Sequence, residues 1–462
     1  MMNRRLYAGV ALLLLGAVAV HLGRRVAAPR EAPPAAFVLP AHGPLTLAAV
    51  GDIVLSGPPV HLERDAAFEG VAALVRNASL ALGNLEMNLL TAESAAAARG
   101  RPGRRWSFGT VREAAALGSI GFDVVGQANN HALDYGTEGM IETRALLTAA
   151  GLMTTGSGED LDEARAPLII GDGPRRVAVL AVAIAPSSAG VATARRGTST
   201  GWPGISAIRY AAEVTADPAT YATLRQAAGA EGAADVGNDR FTLHGTVVRK
   251  AADTSVTLVP DTNDVNAILA AIAGARAAAD IVVVSLHSHE PSNASSEPAA
   301  FVRAFARQAI DAGARLVIGH GPHRLRAVEV YNGGAILHSL GDFLYRPEEG
   351  QPLLADTFDE GLDMFSLAMG MGGSAGGDRS PVDEAAAAQG AVAVATFEGG
   401  ELSALQLHPV DLGMNLPVQQ KGIPRTPPLP RAVATLETLS RLSQQMGTTI
   451  RIEQGIGHLQ LR

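Results

Sequence analysis

Carboxylate, amide and imidazole side chains recur at one kind of position in this chain, at or directly after the end of a short apolar run. These positions are Asp52, Glu86, Asn130 with His131, His287 and His320. Carboxylate oxygens can bridge two metal ions, and neutral imidazole suits Zn, Mn or Fe. If these side chains meet, they form a site for one or two divalent cations. Two such cations, about 3.5–4 Å apart, could acidify a bridging water and hold a phosphoryl group.

The histidines are unevenly distributed along the chain. Four of the twelve lie in one segment, at the ends of apolar runs: His287, His289, His320 and His323. By contrast, His338 lies inside an apolar run and is predicted to be a core histidine. Each signal has an ordinary alternative when taken alone, since Gly51-Asp52 is typical of a turn and Asn130 of a helix cap. Their joint placement favours a site.

Composition and missing motifs exclude several kinds of function. The chain has no cysteine, so disulfides, thiolate metal sites and a cysteine nucleophile are excluded. A formal net charge of −8 argues against a nucleic-acid partner, which would require a basic stripe. No Gly-rich dinucleotide loop follows the first apolar run, and no Gly-x-Ser-x-Gly elbow joins a strand to a helix. Any metal must therefore be held by His, Asp, Glu or Asn.

The elements that must position these residues follow a simple pattern. From Leu45 onward, apolar runs of four to eight residues alternate with helical spacing, which predicts an α/β fold with buried strands. In such sheets ligands bind beyond the carboxyl ends of the strands, so the polar side chains should share one edge. Predicted strands include Leu45–Val50, Ser79–Leu85, Phe122–Gly126, Val177–Ile184, Ile281–Leu286 and Leu316–Gly319. Predicted helices include Tyr135–Ala150, Asn263–Ala279 and Glu297–Ala312, the last with Ser296 as its cap.

The sequence predicts three regions. Residues 1–44 combine a basic start, the apolar stretch Leu6–Leu22 and an Ala-Pro-rich tether at 27–36, which predicts a signal peptide or membrane anchor and export across the cytoplasmic membrane. Residues 45–350 form the α/β domain, with 186–250 as an insertion facing the site. Residues 351–462 form a C-terminal extension with a Gly-rich loop (Gly370–Gly377), a strand pair (Ala391–Phe397 and Leu402–His408) and a helix (Arg431–Gln444).

Six short motifs occur in one order along the chain. They are Ala49-Val-Gly-Asp52, Gly83-Asn-Leu-Glu86, Ala128-Asn-Asn-His131 with Leu133-Asp-Tyr-Gly136, Val284-Ser-Leu-His287, Gly319-His-Gly-Pro-His323 and Ser339-Leu-Gly-Asp-Phe343. Together they resemble the CapA family of bacterial capsule-synthesis proteins, named for poly-γ-glutamate production and related to the calcineurin-like metallophosphoesterases. The likeness runs from about Leu45 to His408, and the motifs are specific as a set.

The resemblance implies a fold and a role for each residue of the site. The fold is an α/β four-layer αββα sandwich of the metallo-dependent phosphatase type, with a C-terminal strand pair and helix. Asp52 would bind a first metal and Glu86 would bridge to a second. Asn130, His287 and His320 would bind the second metal, and His323 would bind the first. His131 would protonate the leaving group. His289, Glu290 and Asp134 would support these residues. Asp52, Asn130 and His131 would then be the catalytic residues.

Departures from the wider phosphoesterase pattern leave the function open. Position 54 is Val where that pattern has a histidine, Glu86 replaces an Asp, and the closing motif ending at His323 is one residue longer. The first metal position is therefore short of a ligand. We expect a metal-dependent hydrolase of a phosphoester or amide bond in an anionic polymer or an envelope small molecule. The alternatives are a non-catalytic, membrane-tethered subunit of a polymer synthesis or export complex, and another metal-assisted reaction on peptides.

Overall fold

A computed structural model of the chain describes residues 37–461, apart from 57–64, 101–106, 347–387 and shorter gaps at 172, 174, 187, 189, 199, 232–233, 236–238, 244–245 and 418–419. The predicted anchor and tether before residue 37, and the Gly-rich loop Gly370–Gly377, lie outside the described residues. Among the residues described, no helix has both the length and the apolar character needed to cross a membrane.

The described strands and helices alternate along most of the chain. The strands are β1 (Leu45–Leu55), β2 (Leu80–Leu85), β3 (Asn88–Leu89), β4 (Phe108–Gly109), β5 (Val124–Gly126), β6 (Met153–Thr155), β7 (Ser157–Gly158), β8 (Leu168–Ile170), β9 (Val177–Ala185), β10 (Gly204–Ile205), β11 (Ala207–Ala216), β12 (Ala234–Asp235), β13 (Arg240–Leu243), β14 (Thr246–Lys250), β15 (Ser255–Pro260), β16 (Ile281–His287), β17 (Leu316–His320), β18 (Val328–Tyr331), β19 (Gly334–Leu337), β20 (Asp342–Arg346), β21 (Gln389–Glu398), β22 (Glu401–Asp411), β23 (Ile450–Glu453) and β24 (Ile456–Leu459). The helices are α1 (Ala66–Arg76), α2 (Ala92–Gly100), α3 (Val111–Ile120), α4 (Gly136–Ala149), α5 (Leu161–Arg165), α6 (Pro218–Glu231), α7 (Thr262–Ala278), α8 (Ala300–Asp311) and α9 (Leu429–Gln444).

Two large sheets form the centre of the molecule. The first has the order β23-β24-β22-β21-β1-β2-β5-β6, and β20 also pairs with β1. The second has the order β12-β13-β14-β11-β9-β16-β17-β19-β18, with β15 beside β11 and β8 beside β9. The strands β1, β2, β5 and β6 are parallel to one another, as are β9, β16, β17 and β19. Their carboxyl ends therefore reach one edge of each sheet.

The alternation of side chains along the central strands divides the core into layers. In β1, Leu47 and Ala49 pack between the two sheets, where they share a core with Val179 and Val283 of the second sheet. Ala48 and the next outward residues of β1 pack instead against α1, α3 and α4. The outer face of the second sheet is covered in the same way by α7 and α8. Helix, sheet, sheet and helix follow one another, so the predicted four-layer αββα fold is confirmed.

The C-terminal segment is part of this core. Strand β21 pairs antiparallel with β1, and β22 continues the first sheet. On α9, Leu436 is fully buried in the core between the sheets. The same segment reaches the second sheet, because the N–H groups of Val328 and Val330 in β18 donate to Ser443 Oγ (2.9 Å) and Thr448 Oγ1 (2.8 Å). Residues 389–461 therefore join the two sheets.

Several predicted element boundaries differ from those of the structure. Helix α8 begins at Ala300 rather than Glu297, and Ser296 does not cap it. The Ala299 N–H donates to the Glu290 carbonyl (3.1 Å), which holds the chain before Ala300 in a loop. The segment 186–250, predicted to face the site, mostly extends the second sheet through β11, β13 and β14.

Candidate metal centre

A change of partner within β1 positions Asp52. Strand β1 pairs with β21 as far as Ala49, and from Asp52 onward it pairs with β20. The register shifts between these two residues, and the Asp52 N–H donates to the carbonyl of Gly341 (3.0 Å). A side chain at Gly51 would place its Cβ 1.8 Å from that same oxygen, so only glycine fits. The predicted end of the strand at Val50 is therefore wrong, and Asp52 lies inside a strand at a bulge.

Two hydrogen bonds fix the carboxylate of Asp52. Its Oδ1 accepts from Asn84 Nδ2 (2.8 Å), and its Oδ2 accepts from the backbone N–H of Gly321 (2.8 Å). The side chain is completely buried. Burial raises the pKa of Asp52 to about 7, and nearby Asp342 adds to this, although His323 and the two hydrogen bonds oppose it.

Glu86 lies at the centre of the cluster, directly after β2. Its Oε1 is 3.6 Å from His287 Nε2, 3.7 Å from His289 Nε2 and 3.7 Å from His323 Nε2. Among the residues that the structure describes, two groups of side chains have ligand atoms all within 4.8 Å of one another: Glu86 with His287 and His289, and Glu86 with Asp52 and His323. Glu86 belongs to both groups. The structure thus places His289, for which the sequence predicted a supporting position, among the candidate ligand atoms.

The buried ring nitrogens of His320, the last residue of β17, indicate whether a cation fits here. Its Nδ1 lies 3.5 Å from Asp52 Oδ1, and neither ring nitrogen has a hydrogen-bond partner among the residues that the structure describes. Burial lowers the pKa of His320 to about 3 and that of His287 well below its ordinary value, so both rings are neutral near pH 7. Buried polar atoms normally find a partner. A divalent cation that accepts an imidazole lone pair would provide one, and the donor set fits it.

Asn130 brings an amide oxygen to the same place from the loop after β5. Its Oδ1 lies 3.0 Å from His287 Nε2, and the Nε2 atom of His289 also lies 3.0 Å from that nitrogen. An imidazole nitrogen carries at most one hydrogen, so it cannot donate to both neighbours at once. Only one of the two can accept a hydrogen from His287 Nε2, so at least one lone pair faces this nitrogen, as is expected of ligand atoms around a cation.

His131 lies next to Asn130 and is held by a carboxylate. Its Nδ1 is 2.7 Å from Asp134 Oδ2, and its side chain keeps 12% of its surface exposed. His131 belongs to neither group of candidate ligands. Its position beside the ligands and its open side suit a proton donor better than a ligand.

Further residues of the site were missed by the sequence analysis. Asp342 Oδ1 lies 2.7 Å from His323 Nδ1, and His323 itself has a positive φ of 51°. Asn84 holds Asp52 and lies 3.2 Å from His287 Nδ1. Both Asn84 and Asp342 fall inside the quoted motifs, which was the available signal. Glu290, predicted to support the site, is buried and accepts a hydrogen bond from Ser288 Oγ (2.6 Å).

The comparisons with known proteins agree with the motifs. A family model described as Bacterial capsule synthesis protein PGA_cap matches residues 46–346. The uncharacterized protein y4sH of Sinorhizobium fredii is 32% identical over 433 residues, which cover 90% of this chain and 93% of that protein. A probable polyglutamine synthesis accessory protein of Mycobacterium tuberculosis is 30% identical over 227 residues, 49% of this chain and 46% of that protein.

Among solved structures, the 5'-nucleotidase precursor from Thermus thermophilus matches with a TM-score of 0.34 and 11% identity, over 86% of this chain and 59% of that chain. The matched part is thus less than two thirds of the nucleotidase and less than half of the mycobacterial protein.

Proposed function

This chain belongs to the PGA_cap family of bacterial capsule synthesis proteins, and we propose that it is a metal-dependent hydrolase of a phosphoester or amide bond. One observation carries the proposal. In each of two groups that share Glu86, the ligand atoms lie within 4.8 Å of one another: Glu86 with His287 and His289, and Glu86 with Asp52 and His323, although β1, the end of β2 and the segments at and after β16 and β17 are far apart in the sequence. A packed core does not require such a cluster, whereas shared coordination does.

The residues divide into two overlapping ligand sets. Asp52, Glu86 and His323 form one set, and Glu86, His287 and His289, with the amide oxygen of Asn130, form the other. His320 adds a ring whose Nδ1 lies near Asp52. Zn, Mn and Fe suit this mixture of carboxylate and imidazole, as one ion or two. A bound divalent cation would supply the Lewis acidity that lowers the pKa of a water molecule and offsets charge on the cleaved bond.

The remaining residues orient groups and move protons. Asn84 and the Gly321 N–H hold both oxygens of Asp52, so this carboxylate cannot rotate away. Asp134 orients His131, whose other ring nitrogen can give a proton to the leaving group. Because His131 keeps part of its surface exposed while Asp52 and Glu86 are buried, we place the substrate on the His131 side.

For the substrate we propose an anionic envelope polymer, such as poly-γ-glutamate, or a phosphorylated envelope small molecule. The family description names capsule synthesis, and the mycobacterial relative carries the words polyglutamine synthesis accessory protein. We propose that the protein acts outside the cytoplasmic membrane, secreted or anchored through its N-terminal segment. The apolar stretch Leu6–Leu22 supports that location.

Metal content and turnover together test the proposal. Full-length protein is loaded with Mn²⁺ or Zn²⁺, analysed for bound metal, and assayed on an aryl phosphate and on poly-γ-glutamate. We expect bound metal and hydrolysis in the unsubstituted chain, and loss of both in His287→Ala. His458→Ala, which changes a histidine on β24, is the matched control and should change neither. Absence of bound metal, or equal turnover in His287→Ala, would contradict the proposal.

A second function is favoured by Val54. Where the wider phosphoesterase pattern supplies a histidine to the first metal, this chain has an apolar, buried side chain. A chain that had lost catalysis could still serve as a membrane-tethered subunit of a polymer synthesis or export complex. In that case Glu86→Ala would complement a deletion strain as well as the unsubstituted gene does, and purified protein would hold no metal.

A further inference from the structure

Arg326 is a buried arginine that contacts the loop carrying His289. Only 1% of its surface is exposed. Its guanidinium donates to the backbone carbonyl oxygens of four residues in one loop: His289 (3.4 Å), Glu290 (3.1 Å), Ser292 (2.9 Å) and Ser295 (3.2 Å). One side chain thus satisfies main-chain acceptors across the whole of residues 289–295, which we call the ligand loop.

The ligand loop presents the imidazole of His289 in one orientation. His289 Nδ1 lies 2.8 Å from Asn293 Oδ1, which can only accept; the tautomer that donates a hydrogen from Nδ1 to this oxygen carries its lone pair on Nε2. That Nε2 lies 3.0 Å from His287 Nε2 and 3.7 Å from Glu86 Oε1. Both His289 and Asn293 belong to the loop, so their geometry depends on how the loop backbone is held.

We propose that Arg326 is a positioning residue of the metal centre, which fixes the ligand loop so that His289 joins the ligand set. The inference rests on the proposed function, because it assumes that a cation binds beside Glu86. Removing the guanidinium would take one donor from each of four carbonyls, of which those of Glu290 and Ser292 would keep a backbone donor.

Few other described contacts hold the backbone of the ligand loop. It makes two described backbone-to-backbone hydrogen bonds. The Ser295 N–H donates to the Ser292 carbonyl (3.1 Å), and the Glu290 carbonyl accepts from the Ala299 N–H (3.1 Å). Arg324 donates to the carbonyl of Ala294 (2.7 Å), at the exposed side of the loop. None of these reaches the carbonyl of His289, and the Glu290 N–H donates to the neighbouring Ser288 Oγ (3.3 Å), so Arg326 ties the part of the loop nearest the metal centre to a distant part of the chain.

The chemistry of arginine explains why this residue type occupies the position. A guanidinium offers five N–H donors in a rigid plane, which suits several carbonyl oxygens at different angles. An ammonium group offers three donors from one point and would reach fewer of them. The burial of a charge is tolerated only when its hydrogen bonds are satisfied, and the carboxylate of Glu290 is near enough to compensate it. We therefore expect Lys to replace Arg326 only in part.

The experiment measures metal affinity in full-length protein, by competition with a chelator for Zn²⁺, alongside thermal unfolding. We expect Arg326→Met to weaken binding about 10–100-fold, the usual range for groups that support a metal ligand, and His289→Ala, which removes a ligand, to weaken it at least as much. Arg326→Lys should fall between Met and the unsubstituted chain. Arg165→Met is the matched control: Arg165 is also largely buried and hydrogen-bonded, but to Asp264 and the Ala207 carbonyl, and its loss should leave zinc affinity unchanged.

The double variant distinguishes positioning from general stability. If Arg326 acts through His289, the His289→Ala/Arg326→Met protein should bind zinc no more weakly than His289→Ala alone. Fully additive losses, or unchanged affinity in folded Arg326→Met, would overturn the inference. If the Met variant does not fold, unchanged affinity in Arg326→Lys decides against it in the same way. Failure of the unsubstituted chain to bind zinc, manganese or iron would instead overturn the proposed function, and this inference with it.

Discussion

Two imidazoles of the site are each oriented by a carboxylate at Nδ1, but we assign them different roles. His131 and His323 each have Nδ1 2.7 Å from a carboxylate, Asp134 in one case and Asp342 in the other. A carboxylate at Nδ1 fixes the ring and leaves Nε2 for chemistry. His323 Nε2 lies 3.7 Å from Glu86 and belongs to a ligand group, whereas His131 does not. We therefore assign proton transfer to His131 and metal binding to His323.

Replacing His131 with Ala should lower turnover without removing metal. General acid catalysis contributes about 10²–10⁴-fold, so kcat should fall by that range on an alkyl phosphate, whose leaving group needs a proton. The loss should be smaller on an aryl phosphate, whose leaving group departs without help. Steady-state kinetics on the two esters, with elemental analysis of the same protein, give the measurement.

Asp342→Asn provides the contrasting variant. It weakens the support of His323 and should reduce metal affinity about 10–100-fold, with turnover restored by excess metal. Loss of metal in His131→Ala, or equal loss of kcat on both esters, would show that His131 is not the acid.

At the residue scale, the sequence could indicate side chains at the carboxyl ends of strands but not their supports. His287 and His320 end β16 and β17, and Glu86 follows β2, which is what the rule for α/β sheets anticipates. Asp342 begins a strand, so that rule does not identify it. His289 lies among the ligand atoms in a loop whose backbone Arg326 holds, and no local pattern encodes that contact.

At the scale of elements, the bulge in β1 is the feature that aims Asp52 at the site. Gly51→Ala should destabilise the protein by more than about 3 kcal/mol, because the added methyl group would collide with the Gly341 carbonyl at 1.8 Å and neither backbone can move without losing its pairing. Urea unfolding followed by circular dichroism measures the change.

Gly274→Ala is the matched control for this substitution. Gly274 lies on the exposed face of α7, and an added Cβ there would meet no atom within 4 Å outside the helix's own backbone, so alanine should stabilise the helix by about 0.5–1 kcal/mol. Equal stability of Gly51→Ala and the unsubstituted chain would mean that β1 leaves room for a Cβ beside the Gly341 carbonyl.

The edge strand β18 is attached to α8 by a buried carboxylate. Glu329 accepts hydrogen bonds from Arg303 (3.0 Å) and Arg307 (2.7 Å), and lies 3.2 Å from His338 Nε2. Burial alone would raise the pKa of Glu329, but these partners outweigh it and lower the pKa to about 2. His338 is therefore a paired core histidine, as the sequence predicted.

The depressed pKa of Glu329 makes its contribution to stability depend on pH. A carboxylate with a lowered folded-state pKa stabilises the protein fully above its unfolded value of 4.5, and loses that contribution as pH falls toward about 2. Glu329→Gln should therefore cost roughly 2–3 kcal/mol at pH 7, and the difference from the unsubstituted chain should shrink below pH 4.5. Urea titrations across this pH range measure it. Glu401, which pairs with Arg315 and is exposed, provides the control: Glu401→Gln should change the free energy of unfolding little. A cost of Glu329→Gln that does not vary with pH would contradict the assignment.

The type of most elements was predictable from the sequence, and their ends were less so. Buried strands such as β9 and β16 are continuous apolar runs, which the sequence shows directly. The start of α8 was predicted three residues early because Ser296 and Pro298 form a reasonable helix start in isolation. In the folded chain, Arg326 donates to the carbonyl of Ser295, and the carbonyl of Glu290 accepts from the Ala299 N–H, so tertiary contacts decide the boundary.

At the scale of the whole molecule, the C-terminal segment determines how the two sheets are joined. The sequence predicted a strand pair and a helix there, but not that β21 would lie beside β1, more than 330 residues away along the chain. Such long-range pairing depends on which sheet edge is open, and a single sequence does not report that. Because α9 packs against both sheets, unfolding of this segment should not be separable from unfolding of the domain.

Leu436→Ala tests that coupling. Leu436 is fully buried in the core between the sheets, so its truncation should lower the free energy of unfolding by about 2–5 kcal/mol. Its exposed neighbour, changed in Glu437→Ala, should alter stability by less than about 0.5 kcal/mol. In calorimetry of the full-length protein, the main transition should shift to lower temperature as one peak, because loosening α9 loosens both sheets together. An early separate peak with the main transition unmoved would show instead that residues 389–461 fold as an independent unit, and that the metal centre is built without them.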